Sequence, residues 1–176
     1  MKTTLVAIIV GSDSDLPVIA STAKILDGFD VSYRIAVASA HRTPQKVRQF
    51  IKKAENDGVQ VFIAGAGMSA ALPGVVAAET TCPVIGVPME GKLLSGLDAL
   101  LSIVQMPPGI PVGTVAVGKA GATNAALLAV AILALSHKDL KKKLAHYRAK
   151  QASAIEEKDA HLQKLGIHKF IEQKGS

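Results

Sequence analysis

Leu5-Val6-Ala7-Ile8-Ile9-Val10-Gly11-Ser12-Asp13-Ser14-Asp15 is an apolar run, mostly branched, that passes straight into a turn of glycine and short polar residues. A strand exposed on one face would alternate apolar and polar side chains. An unbroken run predicts a strand covered on both faces, as in a parallel sheet with helices above and below. Pro17 then suits the first turn of a helix, and Val18, Ile19, Ile25, Leu26 and Phe29 keep roughly helical spacing.

The same alternation of strand and helix continues through the chain. Val31, Tyr33, Ile35 and Val37 predict a second strand. After the loop Ser39-Ala40-His41-Arg42-Thr43-Pro44, the stripe Val47, Phe50, Ile51 and Ala54 predicts a helix, with Thr43 as its cap and Pro44 at its first position. Val59–Ala64, Pro83–Val87 and Thr114–Val117 predict strands three to five. Helices are expected from about Leu72 to Glu79, Leu97 to Val104, Thr123 to Leu135, and from Lys138 onward. Three prolines keep Met106–Pro111 irregular. Repeated βαβ units with right-handed crossovers give an α/β fold: a doubly wound, five-stranded parallel sheet in the flavodoxin-like order 2-1-3-4-5. Residues 1–136 are expected to form the α/β body. Residues 137–176 form a long helical extension whose stripe Leu140, Leu144, Tyr147, Ile155, Leu162 and Leu165 suits packing on neighbouring subunits.

The composition excludes several classes of function. The net charge of +6 comes almost wholly from the tail, with ten Lys/Arg against five Asp/Glu after Ser136 and ten against nine before it. With aromatics at 3% there are few rings for bases to stack on, so the tail reads as a solvated helix face and not as a nucleic-acid surface. Cys82 is the only cysteine and reads as a small buried hydrophobe. The apolar run after Met1-Lys2-Thr3-Thr4 is too short for a signal peptide, and Ala125–Leu135 is too short for a bilayer, so a cytoplasmic protein without membrane attachment is expected. No metal site is expected, because His137, His146, His161 and His168 lie in the tail without ligand spacing. There is no G-x-S-x-G elbow and no Walker loop, and Gly65 ends strand three where a response regulator needs an aspartate.

In a sheet of this order, ligands bind beyond the carboxyl ends of the strands, near the switch point between strands one and three. The loops there are Gly11–Asp15, Ser39–Pro44 and Gly65–Ala71. Histidine is the side-chain type whose unperturbed pKa lies near neutrality, so His41 is a candidate both to donate and to accept a proton. Arg42 is a permanent cation with a planar fork of donors. Ser12, Ser14 and free amides at the following helix can donate to phosphate. A carboxylate beside a phosphate is repelled by it, so Asp15 is assigned to a ribose diol, and Asp13 either shares that role or complements the helix terminus. Ser39 and Gly67 complete the expected binding set: Ser12, Asp15, Arg42, Ser14, Ser39 and Gly67. Gly65-Ala66-Gly67 either admits a flat ring or serves strand–helix packing.

Taken together, Gly11–Asp15, Ser39–Pro44, Ala64-Gly65-Ala66-Gly67, Leu72-Pro73-Gly74, Pro83–Pro88, Ser102–Pro107 and Gly118-Lys119-Ala120-Gly121 stand in an order that resembles the PurE family. The resemblance runs from about Leu5 to Leu135 and is nearest the bacterial type. It implies an N5-carboxyaminoimidazole ribonucleotide mutase of purine biosynthesis. Such an enzyme moves a carboxylate from the exocyclic nitrogen of the substrate to ring carbon C4 through transient CO2, with no metal, nucleotide cofactor or biotin. It further implies a homo-octamer, with His41 as acid and base, Arg42 on phosphate, Ser12 donating to substrate and Asp15 on the ribose. Two positions depart from the family pattern: Ala71 stands where a second histidine is usual, and Glu90-Gly91 replace Gln-Ser. Alternatives are a CO2-dependent aminoimidazole ribonucleotide carboxylase, whose branch typically has lysine at the position of Arg42, and a non-catalytic ribonucleotide-binding homologue.

Overall fold

The computed structural model describes residues 3–174; the outer ends of the two expected segments, residues 1–2 and 175–176, lie outside them. Five parallel strands, β1 (Val6–Val10), β2 (Tyr33–Val37), β3 (Val61–Ala66), β4 (Val84–Pro88) and β5 (Gly113–Thr114), lie in the order β2-β1-β3-β4-β5. This is the order read from the sequence. Helices α1 (Leu16–Gly28), α2 (Pro44–Asn56), α3 (Leu72–Glu79), α4 (Leu97–Val104), α5 (Gly118–Leu133), α6 (Lys138–Leu165) and α7 (Ile167–Lys174) fill the crossovers and the tail.

Because side chains alternate along a strand, the sheet builds two cores. Val6, Ile8 and Val10 join Ile63, Ile85 and Val87 beneath α1 and α5. Ala7 and Ile9 join Phe62, Ala64 and Val84 beneath α2, α3 and α4. All five residues of β1 are fully buried, as an unbroken apolar run requires. The first core relies on small residues: Ala122, Ala125, Ala126 and Ala129 let α5 sit close on α1, and Thr22 Oγ1 donates to the Ala122 carbonyl at 2.7 Å. Gly121 is required there, since a Cβ would collide with the Ala116 carbonyl.

The register places the functional edge. Val10 pairs with Val37 and with Gly65, so β1, β2 and β3 end level and release their loops side by side. The loops stay tied at their roots, with Gly11 N donating to Gly65 O and Ala38 N to Val10 O.

Five local expectations differ. β5 is a two-residue edge pairing and not Thr114–Val117, because it has a neighbour on one side only and follows three prolines. α5 starts at Gly118, five residues early, so the Gly118–Gly121 segment is the helix's first turn. Thr43 precedes α2 but does not cap it; its Oγ1 accepts from Ser39 N at 2.9 Å and closes the loop on itself. Cys82 is half-buried, with its thiol directed at the Val59 carbonyl. The tail stripe is buried only at its start: Leu140 is buried, Tyr147 stacks obliquely on Phe29, and Lys143 pairs with Asp30 at 2.7 Å. Beyond it Ile155 is 63% exposed, and Gly166 ends the helix at a φ of 74°.

Candidate active site

A cleft of about 830 Å³ opens at the carboxyl edge of the sheet. The seven residues singled out in the sequence, His41, Ser12, Asp15, Arg42, Ser14, Ser39 and Gly67, all line it. Helices α1, α2 and α3 begin just after these loops, so their amino ends, which carry partial positive charge, border the cleft.

The first loop forms one 3-10 turn, Asp13–Asp15, and its hydrogen bonds separate the two aspartates. Asp13 Oδ1 accepts from Ser14 N and Ser12 Oγ, both at 3.1 Å, and Ser14 Oγ donates to Ser12 Oγ at 2.9 Å. Asp13 is thus spent on the turn and does not line the cleft. Asp15 does, and it is half-buried. Burial raises its carboxyl above the usual value, with a smaller upward push from Asp13, against a lowering hydrogen bond from the Ser12 backbone.

The second loop is held by side-chain bonds. Ser39 Oγ accepts from Arg42 N at 3.2 Å, and Arg42 Nη2 donates to the Gly11 carbonyl at 3.1 Å. The guanidinium therefore braces the first loop against the second with one donor and keeps the others for an anion. His41 stands exposed beside it.

In the third loop the structure decides between the two readings of the glycines. A Cβ on Gly65 would run into the Met89 side chain, so Gly65 is a packing glycine. A Cβ on Gly67 would meet only ordinary contacts with Met89 at 3.4 Å and beyond, so internal packing does not explain it and its free side faces the cleft. Met68 and Ala70 adopt φ values of 58° and 34°. These are costly for residues with a Cβ and are held in part by Ser102 Oγ, which donates to Ser69 O at 2.5 Å.

The fourth wall is made by Met89, Glu90, Gly91, Lys92, Leu93 and Asp98, of which sequence reasoning singled out Glu90-Gly91 and missed Asp98. Asp98 lies in the first turn of α4 and carries no motif that marks it. His41 is the only histidine among the lining residues; Ala71 occupies the wall beside Leu72. Among the described residues no group of three or more His, Cys, Asp or Glu is arranged to hold a metal ion, and no helix is long and apolar enough to cross a membrane.

Residues 5–154 match the family model described as AIR carboxylase. The N5-carboxyaminoimidazole ribonucleotide mutase of Pyrococcus horikoshii is 51% identical over 96% of this chain and 94% of its own. That of Escherichia coli is 52% identical over 85% of this chain and 89% of its own. The crystal structure of Treponema denticola PurE superposes with a TM-score of 0.83 at 33% identity, covering 90% of this chain and 98% of that one.

Proposed function

This chain belongs to the AIR carboxylase family, and from that membership we propose that it is an N5-carboxyaminoimidazole ribonucleotide mutase with His41 as its proton carrier. The reaction breaks the bond between the exocyclic nitrogen and its carboxylate and forms a bond from C4 to the released CO2. The nitrogen gains a proton and C4 loses one, so the sum is an isomerisation with no net proton change. One imidazole that gives a proton to nitrogen and takes one from C4 returns to its starting state.

The observation that carries this reading is the convergence of His41, Arg42, Ser12 and Asp15 on one cleft at the sheet's switch point. Arg42 grips the phosphate with the donors it does not spend on Gly11, aided by Ser12, Ser14, Ser39 and the nearby helix ends. Asp15 accepts from the ribose hydroxyls; a raised carboxyl pKa suits a site that becomes drier when ligand enters. Gly67 lets the imidazole ring lie against backbone. Beside it Ala70, Leu72 and Met89, all nearly fully buried, give an apolar wall that suits neutral CO2 and excludes water. With Ala71 in that wall, no second imidazole stands there to share the proton work.

Residues 1–136 carry the ribonucleotide site, and residues 137–176 pack on neighbouring copies in a cytoplasmic homo-octamer. Two apolar surfaces support assembly: Leu93, Leu94, Leu97, Leu101 and Val104 around α4, and Leu135, Ile155, Ile167 and Ile171 along the tail, all half exposed or more. Sedimentation velocity tests it; a monomer at micromolar concentration contradicts it. The chemistry is tested by supplying the substrate and following the C4-carboxylated product.

A further inference from the structure

Asp98 Oδ1 is buried and has no hydrogen-bond partner among the described residues, yet the residue lines the cleft. A buried acceptor without a donor costs about 1–3 kcal/mol, so its place in a binding cleft points to a donor that arrives with the ligand. Its setting is rigid. Ser102, one turn further on the same face of α4, bonds the Ser69 carbonyl of the third loop at 2.5 Å. On the other side the carboxylate oxygens lie about 4 Å from where a Gly91 Cβ would stand, an ordinary van der Waals distance.

Resting on the mutase reading, we propose that Asp98 is a specificity residue that accepts a hydrogen bond from the exocyclic nitrogen of the ribonucleotide. The donor inventory leads there. The phosphate and the migrating carboxylate are anionic and repelled by Asp98. The ribose hydroxyls belong to Asp15, on the wall formed by the first loop. The remaining N–H donors of the ligand are on the exocyclic nitrogen. An acceptor there holds the nitrogen still while its carboxylate leaves, and it distinguishes a 5-amino ring from one without the amine.

The test measures binding of two ribonucleotides by calorimetry: the 5-amino-imidazole-4-carboxylate product and its analogue lacking the amine. The unaltered chain is expected to prefer the amine by at least about tenfold, the scale of a hydrogen bond to a charged group. Asp98→Ala should reduce that preference to about twofold or less while leaving affinity for the deamino analogue unchanged. Asp98→Asn, which keeps an acceptor of the same size without the charge, should retain part of the preference. A preference that stays intact in both variants overturns the Asp98 assignment alone and places the acceptor elsewhere, for instance on a second copy of the chain. An equal loss for both ligands overturns it in favour of a structural role. Failure of the unaltered chain to bind either ribonucleotide overturns the mutase reading and the assignment with it.

Discussion

Replacing Arg42 separates phosphate binding from chemistry. One of the five guanidinium N–H donors is spent on Gly11 O at 3.1 Å, leaving four, and a phosphate uses two of them as a fork. Each such bond is worth about 1.5–3 kcal/mol, and the exposed position argues for the low end. Arg42→Ala then loses about 3 kcal/mol, or roughly 150-fold in affinity for the ribonucleotide. Arg42→Lys keeps the charge but cannot hold Gly11 and both phosphate oxygens together, and about tenfold is lost. Because the phosphate is held equally in ground and transition states, KM should rise while kcat changes by less than about threefold. Calorimetry on the nucleotide and on the corresponding nucleoside is the deciding assay. The nucleoside, lacking phosphate, should bind the unaltered chain and Arg42→Ala equally. An equal loss on the nucleoside would refute the reasoning, because Arg42 would then act by bracing the loops and not by binding phosphate.

Asp15→Asn should stabilise the free protein at neutral pH. The folded carboxyl is raised above 3.8, so ionising it costs the folded state; the cost is absent below the unfolded value and complete above the folded one. The melting-temperature gain should therefore vanish below about pH 3.8, while ribonucleotide binding weakens at pH 7; a gain that persists in acid contradicts the burial argument. Thr22→Val keeps the shape but deletes the 2.7 Å bond between α1 and α5. It should cost about 1 kcal/mol, or roughly 2–4 °C in Tm, with kcat unaffected; no shift would mean the two helices are held by packing alone.

Much of the fold was legible because each central strand is a continuous apolar run bounded by glycine or proline, and because such runs alternate with helical stripes. β5 was not, because an edge pairing of two residues leaves almost no pattern, and its extended flank to Val117 reads the same as strand. The start of α5 was hidden by Gly118 and Gly121. Both look like loop residues, yet Gly118 supplies a φ of 69° at the helix entry and Gly121 supplies room beside Ala116. The three-loop half of the cleft could be read because its polar residues follow strands directly. Of the β4–α4 wall only Glu90-Gly91 stood out, as departures from the family pattern; Asp98, in the first turn of α4, carries no motif and joins the cleft only through the fold. Asp15 was assigned from sequence and Asp13 left open; the bonds of Asp13 to Ser12 and Ser14 settle its place in the turn.

Turnover itself gives the most direct test. The purified chain is given N5-carboxyaminoimidazole ribonucleotide, and separately the uncarboxylated ribonucleotide with bicarbonate, and the C4-carboxylated product is followed for the unaltered protein and for His41→Asn. Product should form from the first substrate at an enzymatic rate, and His41→Asn should bind it while turning over at least about a hundredfold more slowly. No product, product only with bicarbonate, or near-normal turnover by His41→Asn would contradict a mutase that moves its proton through His41.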